Sequence, residues 1–248
     1  MKILITICGR AGSKGVKNKN IRNFLGHPLV AYTISVAEQF RERSEHEVDI
    51  CISSDSKPLL EIGTHFSEIV SILRCDELAE DATPKMLVLK DALAQMEKLS
   101  DKSYDYLIDL DITSPLRKVS DVENALNTSI KNKVDVVLSA VASRRNPYFN
   151  MVEKTEEGIS LSKTGNFSCR QDVPEVYDIN ASIYSYSCKA LTGNLRKSPL
   201  DGSADLILME DTGILDIDHE HDFTLMEVLA AHLFKHQFRE VKDYLEKI

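Results

Sequence analysis

No apolar run in this chain approaches the length of a membrane span, and no internal repeat or low-complexity linker interrupts it. The first residues already read as a strand. Positive charge is not in excess: 30 basic side chains face 39 acidic ones, a net charge of −9, which argues against a generally basic nucleic-acid-binding surface. Cys8, Cys51, Cys75, Cys169 and Cys188 are odd in number, widely scattered and lack C-x-x-C spacing. Neither a disulfide framework nor a zinc site is therefore expected, and a reducing cytoplasm is the expected compartment. Also missing are the two best-known phosphate motifs, G-x-x-x-x-G-K-[ST] and G-x-G-x-x-G, which counts against simple NTPases, kinases and dehydrogenases. No Ser-His-Asp or Cys-His nucleophile is legible.

What is present is an α/β pattern. The 248 residues, 43% hydrophobic and 28% charged, suit one large domain. Apolar, β-branched runs at 3–8, 48–53, 69–73, 105–112 and 134–141 alternate with helical patterns near 28–40, 57–66, 84–99 and 119–131. That alternation predicts a parallel sheet built from right-handed crossovers, with Pro28 and Pro84 in first helical turns. From 144 to 178 the periodicity weakens, which predicts an excursion from the sheet, either a β-rich subdomain or an oligomerisation arm. The chain then returns through 181–186, makes a short strand near 206–210, and ends in helix from about 220, whose Phe223, Met226, Leu229, Leu233, Phe238, Val241 and Leu245 are expected to pack on the sheet.

The first strand breaks into Gly9-Arg10-Ala11-Gly12-Ser13-Lys14-Gly15-Val16-Lys17-Asn18-Lys19-Asn20. Glycines, cations and small polar residues in one loop offer backbone N–H groups and positive charge together, which suits a polyphosphate. A Gly-rich turn with solvated lysines is the alternative. Ligands of open parallel sheets bind beyond the strands' carboxyl ends. There the sequence places this loop, Ser53-Ser54-Asp55, Arg74, and Asp109, Asp111, Thr113, Ser114 and Arg117; Asp55 and Ser114 serve equally well as helix caps. Late in the chain, Asp216 and Asp218 point to one face of an extended segment and suit a hard divalent cation, or else form a solvated acidic loop before the last helix.

Taken in order, Arg10-x-x-Ser13-Lys14-Gly15 with Lys19-Asn20, Ser53-Ser54-Asp55, Arg74 through Glu77-Leu78-Ala79-x-Asp81, Thr113-Ser114-Pro115-Leu116-Arg117, Arg170-Gln171, Asn180-Ala181-x-Ile183-Tyr184 and Asp216-x-Asp218 resemble the acylneuraminate cytidylyltransferases. The likeness runs from Ile3 to about Asp222; each motif is weak alone and their ordered set is highly specific. It implies an α/β fold, a Rossmann-like mostly parallel sheet with helices on both faces, one nucleotidyltransferase domain over 1–248, and a small inserted dimerisation subdomain at 144–178. It also implies CTP and a nine-carbon 2-keto sugar acid as substrates, a CMP-sugar and pyrophosphate as products, Mg²⁺ as cofactor, and a homodimer.

Residue by residue, the resemblance implies Arg10, Lys19 and Asp218 as catalytic, and Arg10, Gly12, Ser13, Lys14, Asn20, Arg74 and Ala82 around the nucleotide. It implies Asp111, Thr113, Ser114, Arg145, Arg170, Gln171, Asp178 and Asn180 around the sugar, and Asp216 and Asp218 at the metal. Where family members commonly carry Arg-Pro-Asn-Gly-Ala-Ile-Tyr and Gln-Pro-Thr-Ser-Pro-Leu-Arg, this chain has acids, Asp178 and Asp111, at the first position of each. These departures are most like the branch acting on di-N-acylated sugars of the legionaminic and pseudaminic type. An acid cannot replace an arginine fork for the sugar carboxylate, which leaves Arg145 or Arg170 for that task. The alternatives are sialic acid itself as acceptor, a metal-dependent glycosyltransferase, and a non-catalytic nucleotide-binding module.

Overall fold

The computed structural model describes every residue except 13–14, 67, 81, 157, 168–169, 214–215 and 248. β1 (Lys2–Cys8) leads through a small hairpin, β2 (Asn23–Phe24) and β3 (His27–Pro28), into α1 (Leu29–Arg43), β4 (Glu47–Ser54), α2 (Lys57–Gly63), β5 (Ile69–Leu73) and α3 (Lys85–Ser100). β6 (Tyr106–Leu110), α4 (Val119–Asn132) and β7 (Val136–Ala142) follow, then a second hairpin, β8 (Val152–Thr155) and β9 (Gly158–Leu161). The chain closes with β10 (Tyr177–Ser187), α5 (Cys188–Thr192), β11 (Ala204–Leu208), α6 (Glu220–Leu233) and α7 (Arg239–Leu245).

The central sheet has the order β11-β7-β10-β6-β1-β4-β5. β10 runs antiparallel to both its neighbours and every other pairing is parallel. Alternation within β1 shows how both faces are covered. Ile3, Ile5 and Ile7 join the core under α1 and α4, while Leu4 joins the core under α3 and α5. From β1 the chain steps outward to β4 and β5, then returns through α3 to β6 on the other side of β1. Strand order reverses between β1 and β6, so the ligand crevice of such a fold lies at their carboxyl ends.

Four expectations change in detail. The strand expected over 105–112 stops at Leu110, because the Asp111 carboxylate accepts bonds from the Thr113 N–H and hydroxyl and turns the chain out of the sheet. β10 starts at Tyr177, earlier than the expected 181, and its register shifts between Ile179 and Tyr184, where Ala181 takes a left-handed φ of 53°. Pro28 and Pro84 sit one residue before their helices, with extended ψ values of 140° and 130°. The terminal helix is two helices, and their aromatic contacts are with the α1 layer: Phe223 meets Phe24 edge-on at 5.6 Å and Phe234 stacks on Tyr32 at 5.1 Å.

Candidate active site

The loop after β1 is held by contacts that only its own residue types permit. A Cβ at Gly9 would lie 2.5 Å from Leu59 Cδ2 and 2.9 Å from Asn20 Nδ2, so any larger residue there would have to displace those side chains. Gly12 and Asn18 take left-handed φ values of 73° and 54°. The Ala11 N–H donates to Asp55 Oδ1 at 2.8 Å, and Asn20, buried, donates from Nδ2 to the Arg10 carbonyl at 3.2 Å. Asp55 is thus a loop anchor; the cap of α2 is Ser56.

This loop is joined to the late acidic segment. A Cβ on Gly15 would sit 1.8 Å from the Asp218 carbonyl oxygen, so the two backbones touch. Lys19 Nζ donates to the Ile217 carbonyl and lies 3.8 Å from Asp218 Oδ1. The Lys19 side chain is nearly buried, whereas that of Asp218 is 70% exposed. Burial raises the Asp216 carboxyl above its ordinary pKa, with Asp111 and Asp218 adding to the rise and the Thr113 hydroxyl opposing it. The Asp111 and Asp218 charges thus reach Asp216 without the three side chains being grouped as one metal site.

The end of β6 supplies the other wall. Asp109 is fully buried, accepts from the Thr6 hydroxyl at 3.0 Å, and has Lys85 Nζ 2.7 Å from its Oδ2. The same ammonium lies 3.0 Å from Asp111 Oδ2. Burial alone would raise Asp111, but Lys85 and Thr113 outweigh it and hold the carboxyl well below the usual range. Arg117, 1% exposed, donates from Nε to Ser182 Oγ at 2.9 Å and from Nη2 to the Asp111 and Ser114 carbonyls at 2.6 and 3.1 Å. It clamps the 111–114 turn against β10, and burial lowers its pKa to about 10. Ser114 does not cap α4, whose N-terminal cap position is Lys118.

A cleft of about 250 Å³ gathers Cys8, Arg10, Arg74, Thr83, Lys85 and Asp111. Arg74 is buried there and donates from Nη2 to the Ser53 carbonyl at 2.7 Å. Arg10, Gly12 and Asn20 line an adjoining recess, and Ala82 is exposed beside Thr83. Burial, more than the nearby carboxylates, pushes the Cys8 thiol up to about 12, which leaves it un-ionised. Arg145 and Asp178 line a different cleft with Arg144 and Asp211, and Arg145 and Gln171 line the next one. Asp111, expected beside the sugar, thus lies with Arg10 and Arg74 and apart from Asp178. Thr113 and Ser114 are buried in the turn that Arg117 clamps. Asn180 is buried inside the sheet, accepting from Ser139 Oγ at 2.6 Å. Arg170 opens a short 3₁₀ turn through Asp172; Ser13 and Lys14 lie outside the described residues. A larger cleft, about 730 Å³ between α1 and α7, contains none of these residues.

Lys85 is the residue the sequence reading passed over. Its signal was its position: a cation at the first residue of α3 opposes the helix dipole, so it needs acidic partners from elsewhere. Among the described residues no three His, Cys, Asp or Glu side chains are grouped to hold a metal unaided. Asp216 and Asp218 fit a cation that takes one or two carboxylates and completes its shell with water and phosphate, which is the habit of magnesium.

The reversed strand order and the crossovers around β1 define an α/β protein of Rossmann-like type. The same fold is seen in a CMP:2-keto-3-deoxy-manno-octonic acid synthetase complexed with CTP, at a TM-score of 0.64 and 14% identity, covering 94% of this chain and 99% of that one. Residues 4–195 match the cytidylyltransferase family, and the chain belongs to it: it is a nucleotidyltransferase. It is 39% identical to post-translational flagellin modification protein B of Campylobacter coli over 98% of this chain and 99% of the relative. It is also 39% identical to the CMP-N,N'-diacetyllegionaminic acid synthase of Campylobacter jejuni subsp. jejuni serotype O:2, over 93% of this chain and 95% of that one. Among the described residues no helix is long and apolar enough to cross a membrane.

Proposed function

We propose that this cytidylyltransferase moves CMP from CTP to a nine-carbon 2-keto sugar acid of the N,N'-diacetyllegionaminic type and releases pyrophosphate. The carrying observation is the junction at Gly15 and Lys19, which brings the β1 loop against the Asp216–Asp218 segment at the crevice of the sheet. The near full-length likeness to a CMP-N,N'-diacetyllegionaminic acid synthase supports the choice of acceptor.

In the reaction the anomeric hydroxyl of the acid attacks the α-phosphorus in line; the new O–P bond forms as the bond to pyrophosphate breaks. Such a reaction asks for positioning and charge neutralisation more than for a covalent nucleophile. Arg10, on the wall of the nucleotide cleft, meets the charge that develops at the α-phosphate. The loop amides around Gly12, with Ser13 and Lys14, cradle the outer phosphates, and Arg74 faces the nucleoside end of the same cleft. Lys19 keeps the loop and the carboxylates in register while adding positive charge beside them. Asp216 and Asp218 would hold Mg²⁺, which when bound would neutralise phosphate charge and lower the pKa of the attacking hydroxyl. Arg145, Gln171 and Asp178 receive the acid, with Arg145 or Arg170 on its carboxylate.

The exposed hairpin β8–β9 and its flanks supply the contact for a second copy. Val152 on β8 and Ile159 and Leu161 on β9 are 60%, 73% and 40% exposed, with Met151 just before β8 at 41%, an apolar surface suited to a homodimer. The site of action is the cytoplasm, where nucleoside triphosphates are available. The test is product analysis with CTP labelled at the α-phosphate. Label should pass to the sugar acid while unlabelled pyrophosphate appears; transfer of label to water alone, or no transfer, would refute the reading.

A further inference from the structure

The nucleotide cleft has a feature that the reaction above leaves unused. Lys85 and Asp111 lie 3.0 Å apart on the cleft that also carries Arg10 and Arg74, and their side chains are 39% and 25% exposed. An ammonium has three N–H donors; Lys85 donates one to Asp111 Oδ2 at 3.0 Å, and its charge lies 2.7 Å from Asp109 Oδ2 as an ion pair. The Asp111 Oδ1 receives the Thr113 N–H at 2.9 Å and its hydroxyl at 2.7 Å, while Oδ2 receives Lys85. Among the described residues this leaves at least one donor on Lys85 and one lone pair on Asp111 Oδ2 without a partner. The backing is rigid: Asp109 is fully buried and fixed by Thr6, and Arg117 and Thr33 both donate to the Asp111 carbonyl.

One donor and one acceptor side by side are the complement of sugar hydroxyls. We propose that the Lys85–Asp111 pair reads the ribose cis-diol of the bound nucleotide, Lys85 donating to one hydroxyl and Asp111 accepting from the other. The assignment rests on the nucleotide occupying the Arg10–Arg74 cleft. With a phosphate at Arg10 and the base at Arg74, the pair on the same cleft meets the ring between them. A ribose cis-diol that satisfies two charged groups is a strong discriminator, because an analogue lacking it leaves both unpaired once the nucleotide covers the cleft.

The experiment compares the affinities of CTP and 2',3'-dideoxy-CTP by calorimetry, so that it does not depend on turnover. The native chain should favour CTP by about 100-fold or more, the range of charged hydrogen bonds lost together. In Asp111→Asn, and in Lys85→Met combined with Asp109→Asn to keep the local charge balanced, that preference should shrink at least tenfold, chiefly through weaker CTP binding. Thermal unfolding run alongside checks that each variant is folded, and Asp111→Asn, being isosteric, serves if the double variant is not. A pair that only props up the fold would weaken both nucleotides equally; an unchanged preference in a folded variant, or a native preference near one, would overturn the inference. Absence of CTP binding in the native chain would overturn the reading beneath it as well, which separates the two failures.

Discussion

On the nucleotide side, charged groups are sunk into the fold: Asp109 and Arg117 are buried, and both are tied to residues on other strands. On the hairpin side, every residue of β8 and β9 is exposed, and its apolar side chains face outward. The first region packs its charges inside the chain, whereas the second leaves its apolar side chains exposed, the surface the proposed homodimer would cover. A nucleotide site works by electrostatic preorganisation, which needs a rigid surround; an arm that docks a partner needs exposed apolar area instead.

The largest effect should come from the joined segment. Asp218→Asn is expected to lower turnover about 100-fold or more, the scale of losing one preorganised electrostatic contact, with thermal stability unchanged. Steady-state kinetics at saturating magnesium check this; near-native turnover would remove Asp218 from the site. Next, Gly15→Ala should cost about tenfold or more in kcat/KM, because its methyl group would force the loop off the Asp218 carbonyl and a small misplacement is amplified in the rate. Full activity in that variant would show the junction to be incidental.

Arg117→Leu separates stability from chemistry. It strands the Ser114 carbonyl and the Ser182 hydroxyl and leaves the Asp111 carbonyl to Thr33 alone, for a loss of about 3 kcal/mol at about 1–3 per unsatisfied buried group. Denaturant unfolding measures it, and a loss under about 0.5 kcal/mol would show that the turn does not need its clamp.

A smaller signature lies in pH. The folded state raises the Asp216 pKa, so its ionised form is disfavoured by folding. The metal-free chain therefore forgoes stability above the raised value and recovers it as pH falls through that value. Asp111 has the opposite sign: its depressed pKa adds stability above the ordinary aspartate value near 3.8, lost only as pH falls through the lower folded one. Asp216→Asn should thus raise Tm at neutral pH without magnesium, and the gain should vanish on acidification. A gain independent of pH would contradict the shared-carboxylate arrangement. The smallest effect belongs to the hairpin. Ile159→Ser should change unfolding free energy by less than about 0.5 kcal/mol, as at other exposed positions, yet weaken dimerisation measured by sedimentation.

The strands of the sheet were legible because buried parallel strands read as continuous β-branched runs, as in Ile3 to Ile7. The loop and the Asp216-x-Asp218 spacing were legible because their chemistry is written in adjacent residues. Lys85 was not, since its partners Asp109 and Asp111 come from the next strand of the fold and a lysine after proline reads as surface. The register shift in β10 was hidden for a similar reason: its left-handed residue is Ala181, which carries none of the conformational signal of glycine. The hairpin's strands are exposed on both faces, so no alternation marks them. The break between α6 and α7 was missed because apolar residues continue through it, taken up by the α1 layer.

The account is tested most directly by pyrophosphate release from CTP with N,N'-diacetyllegionaminic acid and N-acetylneuraminic acid under identical magnesium. It predicts release with both and a kcat/KM about tenfold to 100-fold higher for the di-N-acetylated acid, the range of one well-matched polar contact. Equal or better use of N-acetylneuraminic acid would contradict the acceptor, and no pyrophosphate from either would contradict the cytidylyl transfer itself.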